Sequence, residues 1–194
     1  MPKNRVASEK LFEIAVGQQG YFTYRQAIES GYLPSSTIFH VKAGNWIKEK
    51  IRGIYRLAQF PPQERPDLVL WALWSANRKG TVQGIYSHET ALSIYELTDI
   101  MPAKFHMTVP KRFRKNGIMP PNIVLHRSDI KPRDIRKMHG YCVTTPARTI
   151  MDMFKAGTMH PNDVAAALTQ AVESGLITQE ESRYIRAGRR GNGK

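Results

Sequence analysis

Four glycines, Gly20, Gly31, Gly44 and Gly53, cut the first sixty residues into pieces too short for anything but small helices and strands. Glycine enters left-handed backbone conformations without steric cost, so it ends helices and closes tight turns. Ahead of the first of them, residues 3–18 place Val6, Ala7, Leu11, Ile14 and Ala15 at helical spacing behind Asn4 as an N-cap. Thr23 is expected to cap a second helix with Ala27 and Ile28 turned inward and Gly31 as its stop. Leu33 and Pro34 then turn the chain, Ser35 or Ser36 caps a third helix, Ile38 and Val41 supply its buried stripe, and Gly44 ends it. After Gly44 the period changes. Residues 46–51 and 54–58 read as strands, with Arg52 and Gly53 as the tight turn between them. Helix, helix, helix, hairpin is the order of a winged helix-turn-helix.

Pro61, Pro62 and Pro66 interrupt the next stretch, which neither a helix interior nor a central strand accepts. A domain boundary is expected there, giving a first domain over 1–60 and a second over 66–194. Beyond it, residues 68–75 and 89–97 look helical, and 105–109, 123–126 and 141–143 look like short strands. Helices return over 146–154 behind Thr145, over 162–174 opened by Pro161, and over 178–187 with Glu180 and Glu181 in the first turn. A basic, glycine-rich tail follows from Gly188. The predicted fold class is α+β: an N-terminal winged helix-turn-helix and a mixed α/β C-terminal domain ending in helices.

Charge then narrows the partner. The chain has 29 lysines and arginines against 16 acidic residues, a net charge of +13 and a pI near 10. A polyanion is the expected ligand. No apolar run reaches the length of a membrane span, and no signal peptide or lipidation box is read at either end, which favours nucleic acid over lipid headgroups and a cytoplasmic setting. The single cysteine, Cys142, cannot build an internal disulfide framework, and the six histidines show no HxxxH or HExxH spacing. No metal or other cofactor is expected.

If the third helix enters a DNA groove, burying Ile38 and Val41 leaves Ser36 and His40 on the outer face, flanked by Thr37 and Ala43, with Ser35 at its start and Lys42 as its only cation. Hydroxyls and imidazole on such a face reach base edges or phosphates, or are simply solvated. Lys48, Lys50 and Arg52 lie two apart, so on a strand they project from one side, with Arg56 on the return strand; a basic hairpin after this helix pattern is where minor-groove or phosphate contacts fall. Strict alternation would aim Glu49 inward beside Ile47 and Ile51 unless the strand is bulged or Glu49 sits at an edge. Tyr24 and Arg25, at the start of the second helix, are candidates for phosphate contacts, with aromatic packing of Tyr24 and a solvated Arg25 as the equal alternative. The first sixty residues carry nine cations and four anions, enough for a modest electrostatic footprint.

A second basic stretch spans 104–139, with ten cations against two anions. Lys111, Arg112, Arg114, Lys115, Arg133, Arg136 and Lys137 are its candidate contact residues for flanking DNA or another polyanion, unless the charge simply makes a solvated surface.

Specific residue blocks also carry a family likeness. Gly20-Tyr21-Phe22-Thr23, Gly44-Asn45-Trp46-Ile47 and Arg52-Gly53-Ile54-Tyr55-Arg56 in the first part, with Ser87-His88-Glu89-Thr90-Ala91-Leu92, Thr108-Val109-Pro110 and Thr145-Pro146-Ala147-Arg148-Thr149-Ile150-Met151-Asp152 in the second, make the sequence resemble the AbiEi family of bacterial antitoxins. The resemblance implies a type IV toxin-antitoxin protein that represses its own operon at inverted repeats of double-stranded DNA. It also implies that the protein counteracts a cognate nucleotidyltransferase-like toxin without a stable direct complex. In that family the N-terminal domain binds DNA, and the C-terminal domain carries the antitoxin activity and assists repression; a two-fold operator would be met by a homodimer or by a monomer on each half-site. Within the second block, Ser87 can cap a helix, Glu89 sits near its positive end, and Arg148 can pair with Asp152.

Two rivals stand beside this reading. A nuclease or nucleotidyltransferase would need clustered carboxylates for magnesium, whereas the acidic residues here are spread thinly with no GS plus DxD pair and no ExK triad, so a non-enzymatic role is expected. A module that grips the toxin directly is the other.

Overall fold

The computed structural model of the chain describes residues 3–61, 64–99, 101–116 and 119–191. Pro62 of the proline-rich stretch and the last three residues of the basic tail lie outside them. The fold is α+β, with eight helices and two sheets among the described residues. It divides into two compact units, Met1–Gly84 with Lys137–Tyr141, and Ile85–Arg136 with Cys142–Lys194.

In the first unit α1 (Lys3–Val16), β1 (Tyr21–Thr23), α2 (Tyr24–Ser30), α3 (Ser36–Lys42), β2 (Trp46–Lys48), β3 (Ile54–Leu57) and α4 (Pro66–Trp74) follow in order. The strands form one antiparallel sheet in the order β1-β3-β2. Asn4 lies within the first helical turn rather than capping it, because α1 already begins at Lys3. The sheet gains β1, a three-residue strand too short to announce itself by alternation, with Phe22 opposite Tyr55 and Tyr21 opposite Arg56. The hairpin strands are shorter than the sequence suggests, since β2 ends at Lys48 and β3 at Leu57.

The pleat sorts these residues onto two faces. Phe22, Trp46, Tyr55 and Leu57 join Ala7, Leu11 and Ala15 of α1, Ala27 of α2 and Tyr32 in one core. Phe22 and Tyr32 each meet the Trp46 ring edge-on with centroids 4.9 Å apart. On the other face Tyr21 and Ile54 pack with Val69 and Leu73 of α4. That second layer is why the unit continues past the prolines to Gly84. Tyr141 packs on the same cluster, and His139 Nε2 lies 2.6 Å from the Val16 carbonyl oxygen, so residues 137–141 belong here too.

Caps follow the chemistry of the residues at the helix ends. Thr23 and Gln26 form a reciprocal capping box at the start of α2, and Gly31 ends it in the left-handed region at φ 111°. Ser35 precedes α3, but its side chain makes no capping hydrogen bond.

The second unit holds a sheet in the order β6-β5-β4-β8-β7, from β4 (Ile85–Tyr86), β5 (Phe105–Val109), β6 (Ile123–Arg127), β7 (Ile135–Lys137) and β8 (Cys142–Thr144). β5 pairs antiparallel with β4 and parallel with β6. Helices α5 (His88–Ile94), α6 (Pro146–Ala156), α7 (Pro161–Glu173) and α8 (Gln179–Gly191) share a core of Leu92, Ile150, Met153, Val164, Leu168 and Ile185. Each such side chain contributes roughly 1.5–3 kcal/mol by leaving water. Thr178 and Glu181 cap α8 reciprocally, and the helix continues through Gly188 to Gly191, past the expected start of the tail. No described helix is long and apolar enough to cross a membrane.

Gly20 offers a direct check on the first unit. Its φ is +90°, its carbonyl accepts from the Leu57 amide, and a Cβ there would lie 2.5 Å from Phe60 Cβ. Gly20→Ala is expected to destabilise the unit by at least roughly 1–2 kcal/mol from backbone conformation alone, with the clash adding to it. Urea unfolding of the variant measures this, and an unchanged midpoint would contradict the packing described.

Candidate nucleic-acid interface

The surface that matters most is the outer side of α3 with the turn joining β2 and β3. A seven-residue helix makes two turns, so only one narrow stripe can face the core. Thr37 and Val41, one turn apart, form that stripe, with Thr37 only 8% exposed. His40 turns toward the sheet as well. Its ring stacks on Trp46 at 4.7 Å with planes 18° apart and meets Tyr32 edge-on at 5.1 Å. Burial holds His40 below the usual histidine pKa, so it is neutral at pH 7 and shares a hydrogen bond of 3.3 Å between Nδ1 and Asn45 Nδ2.

This rotation corrects the expected face. Ile38, assigned to the core, is 64% exposed, and its neighbour Phe39 is 65% exposed. Thr37 and His40, assigned to the outer face, are committed to packing. Ser35 and Lys42 are exposed one turn on either side of the apolar pair, and Ser36 is half-buried.

Lys48, Lys50 and Arg52 are all exposed, but not as one strand row, because only Lys48 is in β2. The other two lie in the turn, which is closed by the Glu49 amide donating to the Ile54 carbonyl and by Gly53 at φ 78°. The Tyr24 amide donates to the Gly53 carbonyl at 2.8 Å, tying this turn to the start of α2. Lys42, Lys48, Lys50 and Arg52 form no ion pair among the described residues.

Arg56 is a correction. Glu49 and Arg56 lie on the same sheet face, since Ile47 is the residue opposite Arg56, and their side chains meet at 3.7 Å, both largely buried. Arg56 also donates to the Phe60 carbonyl at 2.6 Å. It holds the fold, and the inward Glu49 needs no bulge. Arg25 likewise has internal partners, with Glu29 at 2.6 Å and the Arg78 carbonyl at 2.6 Å, while Tyr24 beside it is exposed.

In the second unit Lys111, Arg112 and Arg114 line a cleft of about 590 Å³ with Phe113 and Arg127. Arg127 donates to the Phe113 carbonyl at 2.7 Å, which fixes the loop that carries the three exposed cations. Lys115 is half-buried, and burial lowers its pKa. Arg133 sits elsewhere, on a cleft of about 530 Å³ shared with Arg148, Lys155 and Tyr184. Arg136 and Lys137 are exposed on β7, with the Arg136 guanidinium 6.0 Å from the Tyr95 ring centre. The predicted basic set is therefore split among several places.

The Ser87-His88-Glu89 block forms an interior cluster that the sequence did not reveal. Ser87 makes no capping bond to α5; its Oγ accepts from Thr108 Oγ1 at 2.8 Å and lies 2.9 Å from His88 Nδ1. His88 stacks face to face on His126 at 3.6 Å, His126 Nε2 is 3.1 Å from His106 Nδ1, and His106 Nε2 is 3.3 Å from Glu89. Stacked rings aim their nitrogens in parallel rather than at one point, and among the described residues no group of three or more histidine, cysteine or acidic side chains is arranged to hold a metal. Arg148 pairs with Asp152 at 2.9 Å, as expected.

No protein-family model matches the sequence, and no curated protein matches it. Among solved structures, the chain is similar to the crystal structure of the RV2827C protein from Mycobacterium tuberculosis, with 14% identity and a TM-score of 0.53 over 95% of this chain and 71% of that one. At that identity the likeness is one of fold.

The histidine cluster predicts acid sensitivity. Burial, reinforced by His126, His106 and Arg148, pushes His88 down to about 3, while burial also lowers His106 and His126 against the opposing pull of Glu89, with Asp152 acting on His126. An unfolded histidine titrates near 6.5, so between that pH and about 3 the unfolded chain binds more protons than the folded one. Stability is therefore full above pH 6.5 and falls as pH drops, by roughly 3 kcal/mol at pH 4 from His88 alone. Urea midpoints across that range should show the decline, and His88→Gln should flatten it. A flat profile in the unsubstituted protein would contradict the cluster.

Proposed function

We propose that the first unit is a winged helix-turn-helix that binds double-stranded DNA, with α3 as its recognition helix and the β2–β3 turn as its wing. The observation that carries this reading is the pairing of an outward α3 with four exposed cations, Lys42, Lys48, Lys50 and Arg52, in a chain of net charge +13. The element order and the β1-β3-β2 sheet support it, because they hold that helix and that turn on one rigid base. The Lys111, Arg112 and Arg114 cleft offers a second phosphate contact outside the first unit.

The resemblance of the residue blocks named above to AbiEi antitoxins extends the proposal. The protein represses its own operon at inverted repeats and counteracts a nucleotidyltransferase-like toxin in the cytoplasm, acting by binding and not by catalysis. Co-expression with the adjacent toxin gene tests that part: restored growth supports it, and unrelieved toxicity rejects it.

For DNA binding, the affinity for duplex DNA upstream of the gene should fall with salt at a slope that reports roughly four to eight released counterions. A Lys48, Lys50, Arg52 triple alanine variant should lower that slope by about two to three and lose the footprint at the repeats. Salt-independent binding, or an undiminished footprint in the variant, would reject the assignment.

A further inference from the structure

The outward face of α3 has a composition that narrows what it can read. The side chains that pair bidentately with guanine or adenine edges are arginine, lysine, asparagine and glutamine. The helix, Ser36-Thr37-Ile38-Phe39-His40-Val41-Lys42, holds one of these, Lys42, in its last position. Thr37 and His40 are turned into the fold. At the centre of the outer side stand Ile38 and Phe39, adjacent, both about two thirds exposed.

Isolated exposed apolar residues are ordinary on protein surfaces. This pair differs in its surroundings. Lys42 follows it on the helix, Lys48 lies on the same face of β2 as Trp46, where α3 packs, and Lys50 and Arg52 extend into the turn beyond. An exposed apolar pair on a helix, with Lys42 after it and Lys48, Lys50 and Arg52 on the adjoining strand and turn, suits a partner that offers an apolar group between rows of negative charge. A second copy of this chain would bring the same four cations against them and be repelled. The DNA major groove is walled by phosphates and presents one apolar group, the thymine 5-methyl.

We infer that Ile38 and Phe39 contact thymine methyl groups in the major groove, so that the target is recognised through A·T pairs by apolar contact and not through arginine on guanine. The inference rests on the DNA-binding reading proposed above. Lys42, Lys48, Lys50 and Arg52 then supply phosphate affinity that is indifferent to sequence, and the apolar pair supplies discrimination.

The test uses the full chain to select duplexes from a random-sequence library, followed by resynthesis of the selected duplex with deoxyuridine in place of thymidine. That replacement keeps every hydrogen-bonding group and every phosphate and removes only the methyls. The selected core should contain A·T pairs, and the deoxyuridine duplex should bind about 4-fold more weakly for each methyl contacted. In an Ile38→Ala, Phe39→Ala double variant, thymidine and deoxyuridine duplexes should bind alike. Both side chains are exposed, so the variant should keep the unsubstituted melting profile.

Equal affinity of the unsubstituted protein for both duplexes, with a steep salt dependence retained, would overturn the thymine inference and leave DNA binding standing. No enriched duplex and no salt-dependent binding would overturn both. A selected core of G·C pairs would also refute the inference.

Discussion

Trp46 occupies the point where α1, α3 and the small sheet of the first unit meet, and its ring is in contact with His40, Phe22, Tyr32 and Tyr55. Large aromatic side chains dominate the energetics of a small core, and their contacts are directional. The stack of His40 on Trp46 therefore acts as a rotational lock on α3. With His40 pulled inward, Thr37 and Val41 follow it to the core, and Ile38, Phe39 and Lys42 are left outside. The composition of the proposed reading face is a consequence of this one packing choice.

The same sheet positions the cationic turn. β3 pairs with both other strands, so the turn that leads into it is braced on two sides, and the Tyr24 amide on the Gly53 carbonyl adds a third tie. Within that frame the buried Glu49 and Arg56 pair neutralises a charge that strict alternation aims inward. Breaking such a pair by removing one partner leaves an uncompensated charge and costs more than the pair itself contributes. Arg56 thus belongs to the fold, and the cations left for a ligand are those at the turn and at the end of α3.

Much of this was legible in the sequence wherever one residue decides the local outcome. Thr23, Gly31, Pro161 and the acidic first turn of α8 mark helix ends by chemistry that acts within a few residues. Two features were not legible, for physical reasons. Ile38, Phe39 and Val41 cannot all face inward from two helical turns, and the pattern alone cannot choose among them; a ring on β2 does. Likewise His88, His106 and His126 are scattered along the chain; the parallel pairing of β5 with β6 brings His106 and His126 together, and His88 joins them from the start of α5. The domain boundary shifted for a related reason: the prolines end the hairpin, yet α4 beyond them still covers the sheet.

On the reading proposed above, duplex DNA covers α3 and the adjoining turn. Protection of lysines from acetylation, mapped by mass spectrometry with and without the upstream duplex, tests it directly. Strong protection of Lys42, Lys48 and Lys50 is expected, with Lys155 on the α6–α8 cleft modified as in the free protein. Unprotected Lys42, Lys48 and Lys50 in a sample whose protein is fully bound to the duplex would contradict it.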